Sequence, residues 1–279
     1  MKRREFITLI GAAAAWPLVA RAQTPPLFAT TKVDGCENVY IFRYVRHQSM
    51  FVVTPEGVIA TDPIGLRRPA ARAYIEEIRK ITNAPIKYVI YSHSHFDHIA
   101  GGQPFKDLGA IFVAHKNAKA RIEALKRPDA VVVPDEVVDS ERAITLGDTT
   151  LELIYVGKNH SDSTLVMRLP KEKIIFTVDW IPLETVPFRA MADTYLPDIE
   201  DGLKQVIAMD WERLIPGHPA PDGRQIGTKE DARAALAYCK TCRQQWERLL
   251  TSISASPTPC ATSNSPNTRN GRITTRISR

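Results

Sequence analysis

Three of the chain's seven histidines fall inside six residues, in the run Tyr91-Ser-His-Ser-His-Phe-Asp-His-Ile-Ala-Gly-Gly102, with an aspartate among them. Neutral imidazole with carboxylate is a donor set suited to zinc, and also to iron or manganese. In extended backbone, residues two apart point the same way, so His93 and His95 can offer two imidazoles to one ion. Asp97 and His98 are adjacent, point elsewhere, and can serve a second ion nearby. Gly101 and Gly102 let the following backbone bend or pack closely. A solvated polar cluster is the plain alternative; four potential ligands directly after an apolar strand weigh against it.

The preceding run, Ile86 to Tyr91, is apolar and β-branched, as a buried strand is. The cluster therefore stands where a strand passes into a loop, where functional groups are displayed. Three more donors occupy similar places: His160 in Gly157-Lys-Asn-His-Ser-Asp-Ser163, Asp179 in Phe176-Thr-Val-Asp-Trp180, and His218 in Pro216-Gly-His-Pro219. Singly, each reads as a turn or loop residue. Together they put two histidines and a carboxylate on the edge where a sandwich of sheets shows its loops. Asp62, before Pro63 and Gly65, is either a turn aspartate or a carboxylate that orients a ligand histidine. His115 follows a strand and reads as a helix-start or surface histidine outside the ligand set.

Alternating and β-branched runs predict strands over 39–45, 50–54, 58–62, 86–91, 110–114, 149–155, 163–169, 173–178 and 213–215. Near-helical apolar spacing predicts helices over 69–81, 116–125, 198–209 and 228–250, the last with Thr228 as N-cap. This alternation implies α/β layering. No internal repeat of fixed period is present.

The His-X-His-X-Asp-His run, followed by His160, Asp179 and His218, resembles the signature of the metallo-β-lactamase superfamily, over roughly residues 39–219. The resemblance implies an α/β (α+β) fold: a four-layer αβ/βα sandwich, two mixed sheets face to face with helices outside. It implies two divalent metal ions, zinc first, with iron or manganese as alternatives. His93, His95 and His160 would bind one; Asp97, His98 and His218 the other; Asp179 would bridge both, and Asp62 would orient a ligand. An aspartate at 179, as in glyoxalase II, argues against the cysteine-containing site of some zinc β-lactamases. The implied chemistry is hydrolysis by a metal-bound hydroxide at a carbonyl-type small-molecule substrate (ester, thioester, lactone or β-lactam), with Asp97 as the catalytic carboxylate. Residues 180–197 would shape the substrate site, with Arg189 facing a substrate anion, and 44–50 would form a flap. Two other classes share the scaffold: an iron-containing oxidoreductase, and a periplasmic accessory protein of a quinoprotein dehydrogenase system.

The chain has 279 residues, 44% of them hydrophobic, and a formal net charge of +6. The excess sits at the ends: Lys2, Arg3, Arg4 and Arg21 against Glu5 in the first 22 residues, and four arginines with no acid from 252 onward. The stretch between is near neutral, so a nucleic-acid surface is not indicated. Twin arginines, an apolar run from Ile7 to Ala20 and the small-X-small site Ala20-Arg21-Ala22 read as a Tat-type signal peptide over 1–22. That run is too short for stable membrane insertion, and a periplasmic or secreted protein follows. A metallo-β-lactamase-like domain over 23–251 and a disordered Ser/Thr/Pro/Asn/Arg tail over 252–279 complete the expected organisation. Cys239-Lys-Thr-Cys242 lies within a predicted helix without a second ligand pair and reads as incidental.

Overall fold

The computed structural model describes residues 26–65, 70–125, 131–186 and 193–255. The leader, Arg189 and the stretch from 256 onward lie outside these residues. Strands β1 (Phe28–Lys32), β2 (Val39–Tyr44), β3 (His47–Thr54) and β4 (Gly57–Thr61) form an antiparallel meander. Helix α1 (Ala70–Ile81) carries the chain to β5 (Ile86–Ile90), which joins β4 in parallel, as do β6 (Ile111–His115) and β7 (Glu136–Val138) beyond it. Two short helices, α2 (Phe96–Ile99) and α3 (Gln103–Asp107), lie between β5 and β6, and α4 (Lys116–Glu123) follows β6. The second sheet holds β8 (Glu141–Leu146), β9 (Thr149–Ile154), β10 (Val166–Leu169) and β11 (Ile174–Thr177), antiparallel in order. After α5 (Leu196–Ala208), β12 (Arg213–Pro216) returns beside β11 in parallel, and α6 (Lys229–Ala255) ends the described chain.

The two-residue period of the strands divides the core into two. On β2 to β6, Ile41, Met50, Val52, Ile59, Ile90 and Val113 face inward and meet Leu151, Leu153, Met167, Ile174, Phe176 and Ile215 of the second sheet. Their neighbours Phe42, Phe51, Ala60, Val89 and Phe112 face outward and meet Tyr74, Ile75 and Ile78 of α1, Phe105 of α3 and Ile122 of α4. Helix α5 buries Ile199, Leu203 and Val206. The result is the four-layer αβ/βα sandwich. Metal donors are needed at one edge only, and both sheets end their relevant strands there.

Three element boundaries differ from the pattern reading by three residues or more. The third strand begins at His47, because the ladder pairs His47 with Tyr44, so residues 47–50 are strand rather than flap. Polar Gln48 and Ser49 hid this; both are buried, their side chains donating to the carbonyls of Pro216, Gln225 and Asp62. The tenth strand begins at Val166 rather than Ser163. Before it, the hydroxyls of Ser161, Ser163 and Thr164 bond one another and the backbone in place of a ladder. Helix α6 runs four residues into the expected tail, as far as Ala255.

The chain divides into two units, Met1–Leu236 and Ala237–Arg279. The described part of the second, residues 237–255, is the later portion of α6, which carries Cys239 and Cys242, neither in a disulfide. Among the described residues, no helix is long and apolar enough to cross a membrane.

Candidate metal centre

Each candidate donor lies in a segment that follows a strand: β5, β9, β11 or β12. Strand β5 leads into Ser92 and His93, with Leu165 N–H donating to the Ser92 carbonyl to fix the turn. His95 precedes α2, whose first turn carries Asp97 and His98. That turn separates their side chains from the extended His93/His95 pair. Asp179 follows β11 in left-handed backbone, φ 72°, a conformation aspartate tolerates better than most residues and one that collects at functional sites. His218 follows β12 after Gly217. A Cβ on Gly217 would press on the Val178 side chain and sit 2.9 Å from Asp179 Oδ1 and 3.1 Å from His98 Cε1. Only glycine lets this loop approach so closely.

The donors form two adjoining groups. In one are His93, His95, His160 and Asp179; in the other His47, Asp97, His98 and His218, with the ligand atoms of each group within 4.8 Å of one another. Asp179 reaches both: its Oδ2 is 3.7 Å from His93 Nε2, 3.5 Å from His160 Nε2 and 3.1 Å from His98 Nε2, and its Oδ1 is 3.0 Å from His218 Nε2. All seven candidate ligands from the sequence therefore converge, from four separate loops.

The hydrogen bonds around the groups set which nitrogens are free. Buried Asp62 accepts from Ser92 N–H at 2.7 Å and from the Ser92 hydroxyl at 2.6 Å, and His93 Nδ1 lies 2.9 Å from that hydroxyl. His93 Nδ1–H therefore donates to Ser92 and Nε2 points inward bare. Asp62 is 3.6 Å from His98 Nδ1, an ionic contact rather than a hydrogen bond. Its hold on a ligand histidine runs through Ser92. Asp193, which pattern reading did not single out, accepts from His95 Nε2 at 2.8 Å. That leaves His95 Nδ1 facing His160 Nε2 at 2.9 Å. His218 Nδ1 donates to the Arg46 carbonyl at 2.6 Å, which turns its Nε2 toward Asp179 Oδ1, 3.0 Å away.

These contacts test the fit of a metal directly. His93 Nε2, both ring nitrogens of His98 and Asp179 Oδ1 are buried without a hydrogen-bond partner. Such atoms are costly to leave unpaired. His98 Nδ1 faces Asp62, while His93 Nε2, His98 Nε2 and Asp179 Oδ1 lie in the donor groups, where cations would satisfy them, so the residues fit two metal ions. The electrostatics agree. Burial pushes His93 well below the usual imidazole range. Burial would raise Asp179, yet the neighbouring His98 and His218 hold it well below the usual carboxylate range. Burial would lower His98, but Asp179, Asp97 and Asp62 raise it to about 9. Burial carries Asp62 up to about 6.

Two participants had no sequence signal of the cluster kind. His47 stands alone, beside a two-residue turn, and Asp193 is one acid in a loop. His115 caps α4, accepting from Asn117 N–H, and its Nε2 meets the Asp139 carbonyl. It stands outside both groups. A cavity of about 580 Å³ lies at the opposite strand ends, lined by Asn38, Val53, Lys173 and Arg213 among others, and holds none of the donors.

The model of the metallo-β-lactamase superfamily matches residues 44–218, which include all seven candidate ligands. The chain is 24% identical over 167 residues to the 2,4-dinitroanisole O-demethylase subunit alpha of Nocardioides sp. (strain JS1661), covering 58% of this chain and 49% of that one. It is 27% identical over 149 residues to a metallo-β-lactamase type 2 of Elizabethkingia meningoseptica, covering 50% of this chain and 57% of that one. The chain thus spans about half the length of these relatives. Among solved structures, a metallo-β-lactamase from Pontibacter korlensis superposes with a TM-score of 0.66 at 18% identity, covering 76% of this chain and 99% of that one. The FIM-1 metallo-β-lactamase of Pseudomonas aeruginosa in its mono-zinc form does so at 0.65 and 16%, covering 77% and 96%. With the family model matching well over half of its length and the sandwich shared with solved members, the chain belongs to the metallo-β-lactamase superfamily.

Proposed function

We propose that the protein is an exported hydrolase dependent on two metal ions, acting on a carbonyl-type small molecule: an ester, thioester, lactone or β-lactam. One observation carries this reading. The Asp179 carboxylate stands within 3.7 Å of donors from both groups, as a group shared by two ions would. Bound divalent ions, zinc in this reading, supply an acidified water and an electrophilic pull on a carbonyl oxygen.

The chain's own groups then have separable duties. His93, His95 and His160 would hold one ion, Asp97, His98 and His218 the other, with Asp179 shared between them. Ser92 and Asp62 orient His93, and Asp193 orients His95, partners that metal-bound histidines require for affinity. Asp97 is the partly exposed carboxylate of the set, its side chain 34% exposed. Burial would raise it, but the hydrogen bond from His47 and the charge of His98 hold it well below the usual range. It stays ionised, able to orient a water and accept its proton. No serine or cysteine nucleophile is required.

The test is metal analysis joined to a panel of esters, thioesters, lactones and β-lactams. Two equivalents of bound metal and chelator-sensitive turnover of at least one class are expected. Full metal loading with no turnover across the panel would contradict the hydrolase and favour an accessory role. A second reading, an iron-dependent oxidoreductase, draws on the same imidazole-rich donors, which suit iron as well as zinc. Iron as the resident metal, with visible absorption, would select it. Export is supported by the twin arginines at 3 and 4 before the apolar run. Replacing both with lysine should retain the protein in the cytoplasm.

A further inference from the structure

We propose that His47 is a protein ligand of the metal held by Asp97, His98 and His218. The proposal rests on the dinuclear reading above and deepens it. His47 Nε2 is 3.2 Å from Asp97 Oδ2, and its ligand atom lies within 4.8 Å of those of Asp97, His98 and His218. Its ring stands edge-on to both neighbouring imidazoles, with centroids 4.6 Å from His218 and 5.2 Å from His98.

The β2–β3 hairpin holds it there. Val45, a β-branched residue at φ 55°, forms the two-residue turn before His47. This is costly backbone for such a side chain, and it persists only where surroundings enforce it. The enforcement is visible on both sides of the turn. Arg46 accepts from His218 Nδ1, and Gln48 N–H donates to the Gly217 carbonyl at 2.7 Å. Gln48 Nε2 also donates to the Pro216 carbonyl at 3.0 Å. One turn thus supplies the oxygen that orients His218 and the imidazole beside it. A flap meant to move over substrate would not be stitched to a ligand loop.

With His47 counted, this position has five protein donors, Asp179 included, against four for the other. Five nitrogen and oxygen donors favour metals with higher coordination numbers over strictly tetrahedral ones. The two positions are therefore unequal, and the His47 position loses most when the hairpin histidine is removed.

The test uses cobalt(II) titrations of the full chain, read by equilibrium dialysis and by visible absorption. The proteins are the wild type, His47→Ala and His47→Gln. Glutamine keeps a hydrogen-bond donor for Asp97 but is a poor metal ligand. The wild type should bind two equivalents. Both variants should keep one equivalent at wild-type affinity and bind the second at least about tenfold more weakly. Their second-site absorption should change in intensity, and added imidazole should restore the His47→Ala spectrum. Wild-type affinity and spectrum in both variants would overturn the proposal. Wild-type behaviour in His47→Gln alone would also overturn it, leaving His47 as a hydrogen-bond partner of Asp97. A wild type that binds fewer than two equivalents would overturn the dinuclear reading and this proposal with it.

Discussion

Asp97 and His98 are neighbours in sequence and differ sharply in surroundings. Asp97 is partly exposed beside His47; His98 is fully buried among three carboxylates. Two expectations follow at this scale. Asp97→Asn should lower kcat by about 10²- to 10⁴-fold, the usual worth of a positioned proton acceptor, with an unchanged circular dichroism spectrum. Turnover at the wild-type rate would show that Asp97 has no part in the chemistry. His98, raised to about 9 without metal, carries a proton at neutral pH. Metal must displace that proton. Apparent affinity should therefore climb by about tenfold per pH unit up to about pH 9 and level off above it. Proton release into weak buffer on metal addition measures this directly; no release at pH 7 would contradict it. The clustered donors were readable from spacing alone, because four ligands in six residues have few other uses. His47 and Asp193 were not, because each is isolated in sequence and brought in by tertiary contacts.

At the scale of elements, the site depends on how closely two loops approach. Gly217 allows the β12 loop to lie against Val178, Asp179 and His98. Gly217→Ala should cost about 1–3 kcal/mol, the usual penalty for overpacking, and should weaken metal binding by displacing His218. Urea unfolding and dialysis together check this, and a neutral substitution would show the loop to be more pliant than its contacts imply. Most strands and helices follow from period, since one-face burial on a sheet writes itself into alternating residues. The exceptions share a cause. The start of β3 carries Gln48 and Ser49, buried polar residues that pair with distant carbonyls. Helix α2 spans four residues, too few for a period to register.

For the molecule as a whole, metal binding and stability should be coupled, because buried His93, His98 and Asp179 atoms have no hydrogen-bond partner. Ligand at about a hundredfold excess over Kd adds about 2.7 kcal/mol. In a domain of this size that raises Tm by about 5–10 °C. A chelated protein that melts at the metal-loaded temperature would show those atoms to be satisfied some other way. The α/β layering was foreseeable from strand–helix alternation, and the sandwich from the resemblance to the family signature. The pairing of the described strands into sheets of seven and five depends on contacts far apart in sequence, which no local period reports. The central claim is that donors from separate strand ends enclose two cations across Asp179. Anomalous diffraction from crystals of the metal-loaded protein tests it most directly. Two peaks about 3.5–4 Å apart, one on each side of the Asp179 carboxylate, are expected; an empty donor cluster, or metal bound elsewhere on the chain, would contradict it.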